Sequence, residues 1–217
     1  MISAWPVCIL GFFLGMRHAT DADHIVAVAT IVSRECKVRV AARIGALWGV
    51  GHTMTIATVG GVIIAFNVAI PPKAGLLMEL GVGVMLVLLG LLNVSNGARK
   101  SGQELVPGER TSGGGGQPTA RPVIIGIIHG LAGSAGITLL VLTTVRQPMW
   151  AIAYLLVFGA GTIAGMILIT TTMAVPFAFS GNHFRRTNRG LATATGLLSL
   201  CFGLFLAYRI GVSIGGP

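Results

Sequence analysis

Two histidines and two aspartates fall within seven residues, HATDADH from His18 to His24, near the end of an otherwise apolar N-terminal stretch. Imidazole nitrogen combined with carboxylate oxygen suits borderline divalent ions such as nickel, cobalt or zinc, whereas an all-oxygen set would suit magnesium or calcium. Ionisable side chains at membrane depth are costly, and they usually face a water-filled cavity or a bundle interior, marking ion or substrate pathways. The run therefore reads as a buried cation site. On an unbroken helix His18, Asp21 and His24 share a face about 120° wide while Asp23 points elsewhere. A local break would let all four converge. The blander alternative is that these groups satisfy one another: Arg17 and Asp21, spaced i, i+4, can pair, and His24 can be a hydrogen-bonded core histidine.

Two further histidines stand beside glycines inside apolar stretches, His52 in WGVGHTMT and His129 in IIHGLAGSAG. Each is expected to be a ligand or to line a pathway, against the alternative of a satisfied core histidine. His183, in the short GNHFRR segment, is expected to be solvated. Glu79 enters the third apolar stretch and either snorkels or attracts cations. Thr53, Thr55 and Ser134 can bond backbone at helix breaks, and the eight methionines show no pairing that suggests copper(I). The candidate metal ligands are thus His18, Asp21, Asp23, His24, His52 and His129. Arg17, Thr53, Glu79 and Ser134 are candidates for lining the pathway or supporting the ligands. No catalytic residue and no cofactor are expected.

The elements that must position these groups are set by hydropathy. The chain of 217 residues is 53% hydrophobic and 10% charged, with a mean hydropathy of +0.85, which marks an integral membrane protein. Crossing about 30 Å of hydrocarbon takes roughly 20 residues. Apolar stretches of that length are expected at 2–33, 41–66, 75–96, 122–146, 149–177 and 190–213, giving six transmembrane helices. The first lacks a basic segment before its apolar run and a cleavage site after it, so it reads as mature sequence rather than a leader. About thirty residues is also long for one simple span, which again places a break at His18 to Asp23.

The net charge of +9 sorts by loop. Arg34, Lys37, Arg39 and Arg43 follow the first stretch; Arg99, Lys100, Arg110 and Arg121 follow the third; Arg185, Arg186 and Arg189 follow the fifth. Only Lys73, Arg146 and Arg209 lie on the alternate side. Basic excess in cytoplasmic loops predicts both termini outside, and it accounts for the charge without nucleic acid. Trp5 and Trp150 fall where amphipathic rings anchor at the membrane interface. Cys8, Cys36 and Cys201 are scattered and odd in number, suggesting neither a disulfide framework nor a zinc site.

The second half repeats the first at an offset of 110 to 113 residues. GMRHATDADHIVAVATIV from Gly15 aligns with GIIHGLAGSAGITLLVLTTV from Gly126, placing His18 against His129. WGVGHT from Trp48 aligns with FGAGT from Phe158, so Gly49 meets Gly159 and Gly51 meets Gly161; Gly83 and Gly90 meet Gly196 and Gly203. Three crossings per copy force the second copy to enter from the opposite face, the inverted-topology architecture of many secondary transporters, with the substrate site between the halves. The expected organisation is a first three-helix repeat at 1–96, a flexible cytoplasmic linker at 97–121 rich in glycine and proline, and a second repeat at 122–217. Glycines spaced GxxxG, as at Gly11/Gly15 and Gly161/Gly165, fit close helix packing in lipid.

GMRHATDADHI, with an H-x4-D-H core at His18, Asp23 and His24, closely resembles the signature of the nickel/cobalt transporter family. GVGHTMTI around His52 looks like that family's second motif, and HGLAGSAG from His129 is similar to its short urease-accessory and nickel-permease branch. The resemblance spans nearly the whole chain, with specificity in those three patches. It implies six to eight helices, uptake of nickel or cobalt across a bacterial inner membrane, and delivery to urease, hydrogenase or cobalamin pathways through maturation proteins or metallochaperones. By motif match His18, Asp23, His24 and His52 inherit metal-binding roles. The longer members' Asp- and Thr-containing motifs have no counterpart in the C-terminal half.

The function expected is a secondary permease that dehydrates a divalent metal at His18, Asp21, His24 and His52, with His129 as ligand or gate. No GxxxxGK[ST] motif occurs, so energy must come from a gradient or a partner. Histidine ligands bind metal only when neutral, so acidity should weaken binding. Three rivals keep part of this reading. An exporter of the same fold is disfavoured by a linker without histidine. A transmembrane thiol electron carrier needs a cysteine pair at equivalent positions of both halves, and Cys8 and Cys201 are not repeat mates. A non-transporting membrane scaffold for metalloenzyme assembly would bind metal without passing it.

Overall fold

The computed structural model describes residues 4–33, 37–66, 71–102, 120–131, 148–180 and 185–215, and every regular element among them is an α-helix. In chain order these are α1 (Ala4–His18), α2 (Ala22–Val32), α3 (Val38–Phe66), α4 (Pro72–Gly102), α5 (Ala120–Gly130), α6 (Pro148–Ser180) and α7 (Arg185–Gly215). Among the described residues four segments are long and apolar enough to cross a bilayer: Val38–Phe66, Lys73–Ser95, Met149–Pro176 and Gly190–Ile214. The chain is an all-α membrane protein. Its outward surface carries large apolar side chains such as Ile9, Phe13, Leu88, Leu156 and Phe205, which suit contact with lipid tails rather than water.

The first apolar stretch is broken, as its length requires. α1 rises about 22 Å over its 15 residues and α2 about 16 Å over its 11. Between them Thr20 N–H donates to Arg17 O and Asp21 N–H to His18 O, the tightened i to i+3 pattern that ends a helix. The Thr20 hydroxyl also donates to Arg17 O at 2.5 Å, a local bond that competes with continued helix. Asp21 then takes the extended backbone of an N-cap (φ −61°, ψ 149°), and α2 begins with Ile25 N–H on Asp21 O. The break occupies residues 19–21, inside the interval expected.

Helix also takes up both ends of the segment 97–121, because α4 runs on to Gly102 and α5 starts at Ala120; residues 103–119 lie outside the described residues. Of the stretch 122–146, α5 covers the beginning, and residues 132–147 lie outside the described residues.

α1 packs along α6, α3 packs along both α5 and α6, and α4 packs along α7. α2 is set among α4, α6 and α7, with Val26, Ala27, Val28 and Val32 buried in the main apolar cluster beside Leu86, Met166 and Ile210. Small residues make these approaches possible. A Cβ on Gly15 would strike the carbonyl oxygen of Phe158 and the amide nitrogen of Thr162, and one on Gly126 would strike the carbonyl oxygen of Trp48 and the amide nitrogen of His52. Gly51 meets Val123 O, and Gly161 meets Phe12 O, with the same closeness. Between α4 and α7, Gly83 faces Gly203 and Gly90 faces Gly196.

A polar clamp fastens the C-terminal end of α2. The Asn93 amide nitrogen of α4 donates toward Ala192 O of α7 at 2.9 Å, Ser33 Oγ at 3.2 Å and Thr30 O at 3.4 Å, and Thr30 Oγ1 donates to Val26 O at 2.8 Å. All of these groups are buried, where an unmet polar atom would cost about 1–3 kcal/mol.

Candidate metal centre

Helix ends deliver most of the polar groups to one point. His18 is the last residue of α1, Asp21 caps α2, and Asp23 and His24 lie in the first turn of α2. His52 sits mid-way along α3, and His129 is the penultimate residue of α5. His24, His52 and His129 are wholly buried, and His18 is 7% exposed. The carboxylates occupy the more open side, Asp23 with 17% and Asp21 with 45% of its side chain exposed.

His18 Nδ1 lies 2.9 Å from Asp21 Oδ2, and His18 Nε2 lies 3.0 Å from His52 Nε2. Asp23 serves two rings at once, Oδ1 at 3.1 Å from His24 Nδ1 and Oδ2 at 3.0 Å from His129 Nε2. The ring of His24 is central: its centroid is 4.8 Å from that of His18, 5.0 Å from His52 and 4.2 Å from His129. Asp21, although placed as an N-cap, makes no side-chain cap bond. Its carboxylate is turned to His18 instead. No ion pair joins Arg17 and Asp21 among the described residues.

Proton accounting gives this geometry its chemistry. A neutral imidazole has one N–H and one lone pair, and a carboxylate only accepts. The network therefore assigns the N–H of His18 and His24 to Nδ1 and that of His129 to Nε2, each donating to an aspartate. His52 Nε2–H then donates to the lone pair of His18 Nε2. Lone pairs remain on His24 Nε2, His52 Nδ1 and His129 Nδ1, all buried and without a hydrogen-bond partner among the described residues. Three unmet basic nitrogens in a dry pocket are unfavourable unless an electron-pair acceptor enters. Orientation of imidazoles by carboxylates on the opposite nitrogen is how proteins hold histidine for a metal.

Single ligand atoms of His18, His24 and His52 lie within 4.8 Å of one another, and so do those of Asp23, His24 and His129. Imidazole nitrogens about 2.0–2.1 Å from zinc stand about 3.3 Å apart at tetrahedral angles, so the 3.0 Å separation of His18 Nε2 and His52 Nε2 suits two ligands of one ion once the His52 hydrogen shifts from Nε2 to Nδ1. The structure gathers five of the six candidate ligands into these two groups, while Asp21 stands behind His18 on its Nδ1 and belongs to neither.

The supporting candidates divide. Arg17 is exposed in the last turn of α1, and no hydrogen bond of its side chain to the cluster is present among the described residues. Thr53 donates through Oγ1 to Gly159 O at 3.3 Å, tying α3 to α6 one residue beyond His52. Thr55 Oγ1 bonds Ile127 O at 3.1 Å and joins α3 to α5. Glu79 lies half-buried near the start of α4 with no polar contact to the cluster among the described residues. Ser134, His183, Cys36 and the side chains of Trp5 and Cys8 lie outside the described residues; Trp150 and Cys201 are exposed.

Two walls of the site were not among the candidates. Trp48 stacks on His24, centroids 5.8 Å apart and planes at 19°, and meets His129 edge-on at 5.5 Å. Phe158 flanks His18 at 5.6 Å. The signal for both was available, since they head the aligned segments WGVGHT and FGAGT.

Compared with curated proteins, the chain is 36% identical over 214 residues to the urease accessory protein UreH of Bacillus sp. (strain TB-90), covering 96% of this chain and 93% of that relative. The chain belongs to the UreH family of urease accessory proteins. Similarity over 96% of its length takes in both the α1–α2 break and the α5 histidine of this UreH-family chain. No protein-family model matches it, and no solved structure does.

Proposed function

We propose that this UreH-family chain is a secondary transporter that carries a divalent transition metal, nickel or cobalt, inward across a bacterial inner membrane. The observation that carries the proposal is the set of buried imidazoles whose N–H groups are turned onto Asp21 and Asp23, leaving lone pairs without partners at the centre of the bundle. Nitrogen-rich, dehydrated and partly anionic, such a pocket favours borderline divalent ions over magnesium or calcium. The relative's description as a urease accessory protein fits a chain that provisions a metalloenzyme. Its partners are then the metal ion, the lipid bilayer and the metallochaperones or maturation proteins of urease or hydrogenase. Inward flux is favoured by the absence of histidine from the linker 97–121.

The architecture proposed with it is six crossings in two inverted repeats, 1–96 and 122–217, joined by the cytoplasmic linker, with both termini outside. Its support lies in reciprocal contacts. Gly15 meets Phe158 and Thr162, and its repeat mate Gly126 meets their mates Trp48 and His52. Gly161 meets Phe12, and its mate Gly51 meets Val123. His18 lies 5.6 Å from Phe158, and its mate His129 lies 5.5 Å from Trp48. Pairing of i with j′ and of j with i′ is what a two-fold relation produces. In such folds ions bind between the halves where helices are interrupted, and rocking exposes the site to each side in turn.

Purified protein in liposomes should take up radiolabelled nickel or cobalt, and the double variant His18→Ala/His24→Ala should abolish it. Undiminished uptake by that variant would remove the ligand assignment. Higher cell-associated metal with the protein than without it is the result expected for import.

A further inference from the structure

We infer that the metal occupies two adjacent stations that share His24, so that this one ring hands the ion from an all-imidazole position to a carboxylate-containing one. The inference rests on the transport reading above and adds an internal step to it.

The geometry separates the ligands into two sets. His18 and His52 form one, with facing nitrogens 3.0 Å apart. Asp23 and His129 form the other, with Oδ2 and Nε2 3.0 Å apart. The ring centroids of His52 and His129 are 6.0 Å apart, farther than either lies from His24. His24 stands between them within 5.0 Å of both, and completes a three-ligand group with either pair.

The two nitrogens of the His24 ring differ in their surroundings. Nδ1 lies on Asp23 at 3.1 Å, while Nε2 is buried without a partner. An ion at the first station takes His24 through Nε2, with Asp23 holding the hydrogen on Nδ1. At the second station the ion takes His24 through Nδ1 and His129 through Nε2 beside Asp23, and the two ring hydrogens move to the opposite nitrogens, His24 Nε2 and His129 Nδ1, which have no partner among the described residues. A neutral imidazole has one lone pair, so His24 serves one ion at a time. Occupancy is therefore exclusive, and each station has three protein ligands, one fewer than a closed tetrahedral site, as sites that exchange ligands do.

Exposure orders the stations. Every imidazole of the first is nearly or wholly buried, whereas the second includes Asp23 with 17% of its side chain exposed. The first is the more deeply buried position, and the second is the one with a partly exposed ligand.

The test uses the full chain with Co2+ as probe, in lipid nanodiscs to read bound cobalt by mass spectrometry and its visible d–d spectrum, and in liposomes to read Co2+ uptake. Wild type should bind one Co2+. His52→Ala and His129→Ala should each still bind one, with spectra that differ from each other, and each should transport about 10–100-fold more slowly. The double variant His52→Ala/His129→Ala and the single variant His24→Ala should bind none. Two Co2+ ions per wild-type chain, loss of all binding in His52→Ala or in His129→Ala, or wild-type transport by His129→Ala would overturn the shared-station scheme. Failure of the underlying transport reading looks different: wild type would bind no Co2+, or would bind one and carry none into liposomes. Glutamine variants at both positions, checked for monodispersity and helical circular dichroism, repeat the comparison should an alanine variant fold poorly.

Discussion

Asp23 on α2 and His129 on α5, 106 residues apart in the chain, meet with Oδ2 3.0 Å from Nε2. The same carboxylate holds His24, its neighbour in sequence, through the other oxygen. One side chain thus fixes the tautomer and direction of two buried rings, each left with a lone pair that has no partner among the described residues.

Asp23→Asn should consequently weaken Co2+ binding by about 10–100-fold, since an amide cannot accept from both rings with both of its terminal atoms. Competition against a chromogenic chelator measures the change. Unaltered affinity would mean that Asp23 does not orient the imidazoles.

Asp21 separates capping from ligand orientation. Its position is an N-cap, yet its carboxylate bonds His18 Nδ1 and not the helix. Asp21→Ser restores a good capping side chain but withdraws the acceptor from His18. Helix content by circular dichroism should hold while Co2+ affinity falls about 10–100-fold. If Asp21→Ser binds metal as tightly as wild type, the role assigned to the His18 contact is mistaken.

Close approach across the α3–α5 seam gives a steric prediction. Gly126→Ala drives a methyl into Trp48 O, where backbone cannot yield, and should cost about 1–3 kcal/mol. Gly81→Ala, where a Cβ meets nothing within 4 Å, is the matched control and should leave the thermal midpoint unchanged. Equal midpoints for the two variants would contradict the packing described.

Asn93 anchors α2, and with it Asp23 and His24, to α4 and α7. Asn93→Ala should lower thermal stability by about 1–3 kcal/mol, because it strips buried polar groups of their donor. Differential scanning fluorimetry in detergent reads this directly, and a stability equal to wild type would show that the clamp contributes nothing.

Composition and hydropathy alone determined that the chain lives in a membrane and is helical, because lipid leaves backbone groups no partner outside the helix itself. The polar cluster was legible for the same reason, since aspartates and histidines in an apolar stretch have to be satisfied by one another or by a guest. Excess length in the first stretch located its break. Tertiary structure decided the rest. Spacing on one helix set Asp23 apart from His18 and His24, and only the turn at residues 19–21 together with the approach of α5 let it bridge His24 to His129. Trp48 and Phe158 look like ordinary core aromatics until packing lays them against the imidazoles. Asn93 gave no sign of its role, because its acceptors come from helices distant in sequence. Local pattern dictates which groups are buried; which of them touch is settled by how the helices cross, and that depends on contacts between residues far apart in the chain.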